Sequence, residues 1–343
     1  MLKMRPRLTL TFAATLAVTL AACAPAAAQA PAASGAARAA GPTVAYVVRP
    51  SDPSRYNPVE RLALDASLRP VSRTPVNLGC SRVHVANTGE LVCLTQSKPG
   101  SPGRFTPNTT YLYSPAMTPL ASFERPVSNM PSRARISADG RYLATTTFTS
   151  GHSYLGVGGT QFSTETLISQ RADGATAQDI QKWAISWKGQ PVTALDLNLW
   201  GVTFDPRQSD HFFVTVYFKG TPYLGEGSVA NRAIKVLRPN VECPSLSPDG
   251  QRIAFKRRVS ATAWAPAVLD LATQKERVLQ VPNSVDDQIE WLDDHTLVYE
   301  VATTPLFDTP KFNLYTVDLA AAQPQQVLWL EDARSPTFVR AGP

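Results

Sequence analysis

The sequence predicts an all-β chain folded as a six-bladed β-propeller of four-stranded antiparallel blades, and three observations carry that expectation. Five segments repeat one outline of apolar strand, tight polar turn and apolar strand. The turns recur at blade-like intervals, and no stretch holds a helical period beyond a turn or two.

The five segments are "SRVHVANTGELVCLTQ" from Ser81, "SRARISADGRYLATTTF" from Ser132, "GVTFDPRQSDHFFVTVYF" from Gly201, "CPSLSPDGQRIAFKRR" from Cys243 and "DQIEWLDDHTLVYEVA" from Asp287. Their turns centre near Gly89, Gly140, Ser209, Gly250 and Asp294, about 51, 69, 41 and 44 residues apart, so one blade is enlarged. Asn or Asp in these turns can bond the backbone ahead, and Gly supplies the positive φ that reverses the chain.

After each hairpin a polar loop leads to a third strand: "TTYLYSP", "STETLISQR", "RAIKVLRP", "PAVLDLAT" and "FNLYTVDLA". Fourth strands follow in "ERVLQVP" and "QQVLWLE". Near the N-terminus "TVAYVVRP", "VERLALDA" and "RPVSRTPV" supply three strands without an inner one, and "ARSPTFVR" from Ala333 is an inner strand without a blade. The two ends therefore share the sixth blade, with the C-terminal strand pairing with the first strand of the domain. Closure removes the exposed edges that invite aggregation.

Ahead of the domain lies a basic start, Lys3, Arg5 and Arg7, then an apolar Ala- and Leu-rich run. Residues 1–22 are expected to be an export signal. The run ends in Leu20-Ala21-Ala22-Cys23, which resembles a bacterial lipobox and implies lipidation of Cys23; ordinary cleavage after Ala30 is the other reading. Residues 23–42 read as a flexible tether and 43–340 as one propeller domain. Loss of the signal lowers the formal charge of +6 by three, and the remaining bases are scattered, which argues against nucleic acid. Of the other cysteines, Cys80 and Cys93 are the local disulfide candidates, although they do not face each other in the predicted hairpin; three buried thiols, Cys243 among them, is the alternative.

"SLSPDGQRIAFKRR" followed by "VLDLATQKERVLQV" resembles the TolB-type propeller repeat, with its Ser-Pro-Asp-Gly turn, Ile-Ala-Phe strand and Asp-Leu-Ala-Thr third strand. The segments from Ser132 and Asp287 share the turn and its flanking strands; those from Ser81 and Gly201 share the outline. The resemblance implies a TolB-like propeller without the N-terminal domain of TolB itself, in a group that mostly binds other molecules.

Motifs for chemistry are sparse. "GHSYLG" from Gly151 departs from Gly-x-Ser-x-Gly at Leu155 and precedes no helix, so Ser153 is a poor nucleophile candidate. His84, His152, His211 and His295 fall in different blades, and no metal site or cofactor is expected. The connections between second and third strands are long, including "SGHSYLGVGGTQF", "FKGTPYLGEGSV" and "KRRVSATAWAP". They should ring one channel mouth, with Arg82, Arg133, Trp200, Glu242, Asp286, Asp287, Gln288 and Arg334 near the axis and His152, Tyr154, Lys219, Tyr223, Arg258 and Trp264 around them. The competing reading is that these charges pair with one another and close the channel. The expected role is a monomeric, exported binding or scaffold module of the cell envelope, recognising an envelope protein, a peptide or a polar small ligand. The alternative is a lyase or hydrolase acting on carbohydrate or peptide through channel-mouth carboxylates.

Overall fold

The computed structural model describes residues 41–50, 57–96, 107–125, 130–150, 162–171, 177–285, 287–303 and 311–340. Six sheets radiate from a central channel, one per blade. Blade 1 joins the chain ends: β1 (Val44–Val48), β2 (Pro58–Leu64) and β3 (Pro70–Gly79) receive the last strand, β26 (Arg334–Val339), on the channel side. Val44 faces Val339 and Ala45 faces Phe338 in that antiparallel seam, the closure expected from the sequence.

Blade 2 comprises β4 (Arg82–Val85), β5 (Leu91–Gln96), β6 (Asn108–Tyr113) and β7 (Pro119–Arg125). Blade 3 comprises β8 (Met130–Ile136), β9 (Tyr142–Ser150), β10 (Ser163–Gln170) and the short β11 (Gln178–Asp179). A single 3-10 turn at Ile180–Lys182 then leads to β12 (Ala184–Trp187) and β13 (Gln190–Pro191). Blade 4 is built from β14 (Asn198–Phe204), β15 (His211–Phe218), β16 (Thr221–Ser228) and β17 (Ala233–Pro239). Blade 5 holds β18 (Glu242–Leu246), β19 (Arg252–Arg258), β20 (Trp264–Asp270) and β21 (Glu276–Val278); blade 6 holds β22 (Glu290–Trp291), β23 (Thr296–Ala302), β24 (Phe312–Asp318) and β25 (Gln326–Leu330).

The structure departs from the sequence reading in blade 4. Its sheet has six strands, because β12 adds in parallel to the outer strand β17 and carries β13 with it. "FKGTPYLGEGSV" is no long loop: Lys219 and Gly220, at φ 49° and 72°, make a two-residue turn after the end of β15, and Thr221–Ser228 is strand β16. "RAIKVLRP" is consequently the fourth strand. Gly225 and Gly227 read as loop residues, yet they are packing devices. A Cβ on Gly227 would lie 2.2 Å from the ring of Phe212, and one on Gly225 would lie 2.6 Å from Val216. Glycine lets β15 carry bulky side chains against the neighbouring strand.

The core is divided into six apolar clusters, one at each blade interface. Middle strands are apolar on both faces because each sheet is covered by a blade on either side, as in Phe212–Val214 of β15 and Ile253–Phe255 of β19. The hairpin turns between first and second strands carry internal hydrogen bonds. In blades 3 and 5 the hydroxyls of Ser137 and Ser247 accept bonds from the N–H of Tyr142 and Arg252, both 2.9 Å, while Gly140 and Gly250 adopt φ of 74° and 67°. A disulfide joins Cys80, in the link into blade 2, to Cys93 on β5, and Cys243 is a buried free thiol.

Candidate functional site

Each inner strand is the edge of its sheet and leaves backbone N–H groups facing the channel. Side chains of the preceding blade take them up. Thr337 Oγ1 accepts from Val85 N at 3.0 Å, His84 Nδ1 from Ile136 N at 3.3 Å, and Thr203 Oγ1 from Leu246 N at 3.2 Å. Burial, reinforced by the charges of Arg135 and Arg340, pushes the His84 pKa well below its ordinary value. His84 is thus a neutral imidazole fixed as an acceptor, and the channel-facing polar residues clasp blade to blade.

Towards the long-loop face the channel is plugged by charge. Asp287 receives Arg133 from the opposite blade, Arg82 at 3.2 Å and Arg334 at 3.4 Å. Arg334 also meets the buried Glu300 at 3.0 Å. Burial pushes the Glu300 carboxyl up, but Arg334, Arg82 and Arg133 hold it below its usual value. Gln288 is tied to Pro244 O at 3.1 Å, and one level deeper Arg135 pairs with Glu290 across the ring. Four of the sequence candidates, Arg82, Arg133, Asp287 and Arg334, thus seal the channel, and buried Gln288 is bonded beside them.

Trp200, Glu242, Arg258 and Trp264 gather beside the plug. Glu242 accepts from Trp264 Nε1 at 2.8 Å, and the Arg258 guanidinium lies 4.6 Å from the Trp264 ring centre. Trp200, Glu242 and Arg258 line a chamber of about 200 Å³ with Phe162 and Tyr217. Tyr223 lies elsewhere, stacked 4.4 Å from Phe218 and tilted against Trp187 at 5.2 Å on blade 4. Lys219 occupies the turn before β16, where its N–H is capped by Asp196. Asp286, His152, Ser153, Tyr154 and Cys23 lie outside the described residues. Among the described residues no three His, Cys, Asp or Glu side chains come together as metal ligands would.

The larger cavity, about 440 Å³, opens on the opposite, short-turn face, where the sequence placed no site. It is a funnel. Its wall is a collar of apolar residues at or next to the last position of each inner strand: Val85, Ile136, Phe204, Leu246, Trp291 and Phe338. Its floor includes His84, Thr337, Arg340 and the Arg135–Glu290 pair; its rim includes Asn87, Ala138, Pro206, Pro248, Asp249 and Asp294, all in hairpin turns. Gly41 and Pro42 also line it, so the chain enters the domain at this mouth.

The funnel's carboxylates are already engaged. Asp249 accepts from Gln251 N at 3.0 Å and from Arg252 at 3.2 Å, Asp293 from the N–H of His295 and Thr296 at 2.8 and 2.7 Å, and Asp294 from Asp249 N at 3.1 Å. Burial raises the Asp249 carboxyl, yet Ser247, Gln251 and Arg252 bring it below its ordinary pKa. Such a group is a poor proton donor at neutral pH.

The blades, the ring closure and the hairpin turns define a TolB-like six-bladed β-propeller fold. The chain matches no protein-family profile and no curated protein. Solved structures are similar to it. TolB from Acinetobacter baumannii superposes with a TM-score of 0.60 at 16% identity, covering 86% of this chain and 66% of that one. A chain of a nidogen/laminin complex gives 0.58 at 12% identity, covering 88% and 100%, and a putative TolB from Agrobacterium tumefaciens gives 0.50 at 11%, covering 87% and 93%. At these identities the likeness is one of fold.

Proposed function

We propose that the chain is an exported, lipid-anchored propeller of the cell envelope that works as a non-catalytic binding module, taking a segment of a partner protein or peptide into the funnel. The observation that carries this reading is the funnel's construction: a preformed cavity with an apolar collar contributed by all six blades, closed below by the plug. A rigid concave apolar site with a polar rim binds without ordering itself first, which lowers the entropic cost of association. The engaged carboxylates favour binding over general acid–base chemistry.

Export is supported by the basic start, the apolar run and the Cys23 context of the sequence, and the Cys80–Cys93 disulfide suits an oxidising compartment. A Cys23→Ser variant is expected to lose fatty-acid labelling and membrane association, with mass spectrometry of the mature N-terminus as the readout.

The funnel is tested by Ala138→Trp, a bulky residue at its rim. Affinity capture of the intact protein from its own envelope should recover a partner that the rim variant loses and that a Glu242→Gln variant retains. Equal capture by wild type and rim variant sinks the funnel as the site, and turnover of a screened substrate that depends on Asp249 or Asp294 establishes the enzyme instead.

A further inference from the structure

The chamber on the long-loop face holds an unused hydrogen-bonding group. Glu242, at the start of β18, is 2% exposed. Trp264 Nε1 at 2.8 Å and the Nε and Nη2 of Arg258, both at 3.4 Å, all contact Oε1. Among the described residues none donates to Oε2, although Glu242 lines the chamber. Three aromatic rings form one side of the chamber, Phe162 and Trp200 5.2 Å apart and Trp200 and Tyr217 5.9 Å, and Gly220, Thr221, Pro222 and Asn240 complete it. The Tyr217 hydroxyl also bonds to no other described side chain, and burial, followed by the charges of Asp196 and Glu242, raises its pKa, so it keeps its proton and remains a donor.

A buried acceptor and a donor facing one aromatic chamber select a ligand with hydroxyls and an apolar face. The volume of about 200 Å³ falls below the roughly 300–1,000 Å³ of drug-sized sites, which limits the occupant to one ring. Charge selects further. Arg258 lies against the same carboxylate and offsets it, so an ammonium ion finds little net attraction and must compete with the guanidinium.

We propose that this chamber is a second binding site, for a single neutral pyranose unit whose hydroxyls bond Glu242 Oε2 and Tyr217 while its apolar face lies on the half-buried rings of Phe162 and Tyr217. The site is on the face opposite the funnel, so its failure leaves the funnel's role standing.

Ligand-observed NMR and calorimetry with the methyl glycosides of glucose, galactose and N-acetylglucosamine test it, with tetramethylammonium and N-acetyltyrosine amide as counter-probes. At least one glycoside should bind in the millimolar range. Glu242→Gln keeps an oxygen for Trp264 and turns Oε2 into a donor, and it should weaken that binding by about tenfold when measured well below the variant's own melting temperature. Tyr217→Phe should weaken it severalfold, and it serves alone if the glutamine variant does not fold. Absence of glycoside binding, equal binding by both variants, or preference for either counter-probe overturns the proposal.

Discussion

Arg133 on blade 3 and Asp287 in the link into blade 6 meet as an ion pair across the channel, between blades diametrically opposed in the ring. Asp287 is also the shared carboxylate of Arg82 and Arg334. Asp287→Asn keeps the side chain's shape but strips the buried Arg133 and the half-buried Arg82 and Arg334 of a shared counter-charge. Breaking a buried pair on one side costs about 3–5 kcal/mol. The variant should therefore lower the denaturant midpoint by a corresponding amount; an unchanged midpoint shows that the plug is not structural.

His211 makes the stability of blade 4 depend on pH. Its Nε2 is 2.9 Å from Glu226 and its Nδ1 3.7 Å from Asp205. Contact with Asp205 and then the bond to Glu226 outweigh burial and raise its pKa to about 9. The folded value lies above the unfolded one, so the imidazolium stabilises fully below about pH 6.5 and the contribution is lost as pH rises through about 9. Denaturation of wild type and His211→Gln should show the widest gap near about pH 6 and none near about pH 10.

Gly227→Ala probes the glycine strand of blade 4. The added Cβ would lie 2.2 Å from the Phe212 ring, which is itself fully buried, so the ring or the strand must shift. Overpacking of this kind costs about 1–3 kcal/mol. Thermal unfolding of the variant checks it, and an unshifted transition means that Phe212 has room to move.

The Cys80–Cys93 bridge closes a loop across a separation of 13 residues, worth about 3 kcal/mol on chain-entropy grounds. The double variant Cys80→Ser, Cys93→Ser should lose about that much in chemical denaturation. Alkylation of the unfolded wild type should gain two labelled thiols on reduction, while Cys243 labels on unfolding alone.

The blades were legible in the sequence because their turns obey local rules: Asp139-Gly140 and Asp249-Gly250 are dipeptides that favour chain reversal, with the glycines at φ 74° and 67°. Strand β16 was not, because Gly225 and Gly227 are explained by Phe212 and Val216 on the partner strand and by nothing in their own neighbourhood. The same limit governs the sites. Trp200, Glu242, Arg258 and Trp264 fall at equivalent strand ends, and repeat position alone grouped them. The meeting of Arg135 with Glu290 spans 155 residues and half the ring, and no local pattern announces it. The funnel was missed because its collar residues are ordinary apolar strand ends, each also a member of a different interface cluster.

The channel clasps also constrain how such a ring can diversify. Thr337, His84 and Thr203 look like polar groups offered to a visitor, yet each is mortar between neighbouring blades. Exchanging one for a new specificity leaves a backbone N–H stranded in the next blade. Variation that preserves the ring is thus steered outward to the side chains of the hairpin tips, Asn87, Ala138, Pro206 and Pro248, because the link between tips, Asn87 N to Ala138 O at 3.0 Å, is made by backbone and survives a side-chain exchange.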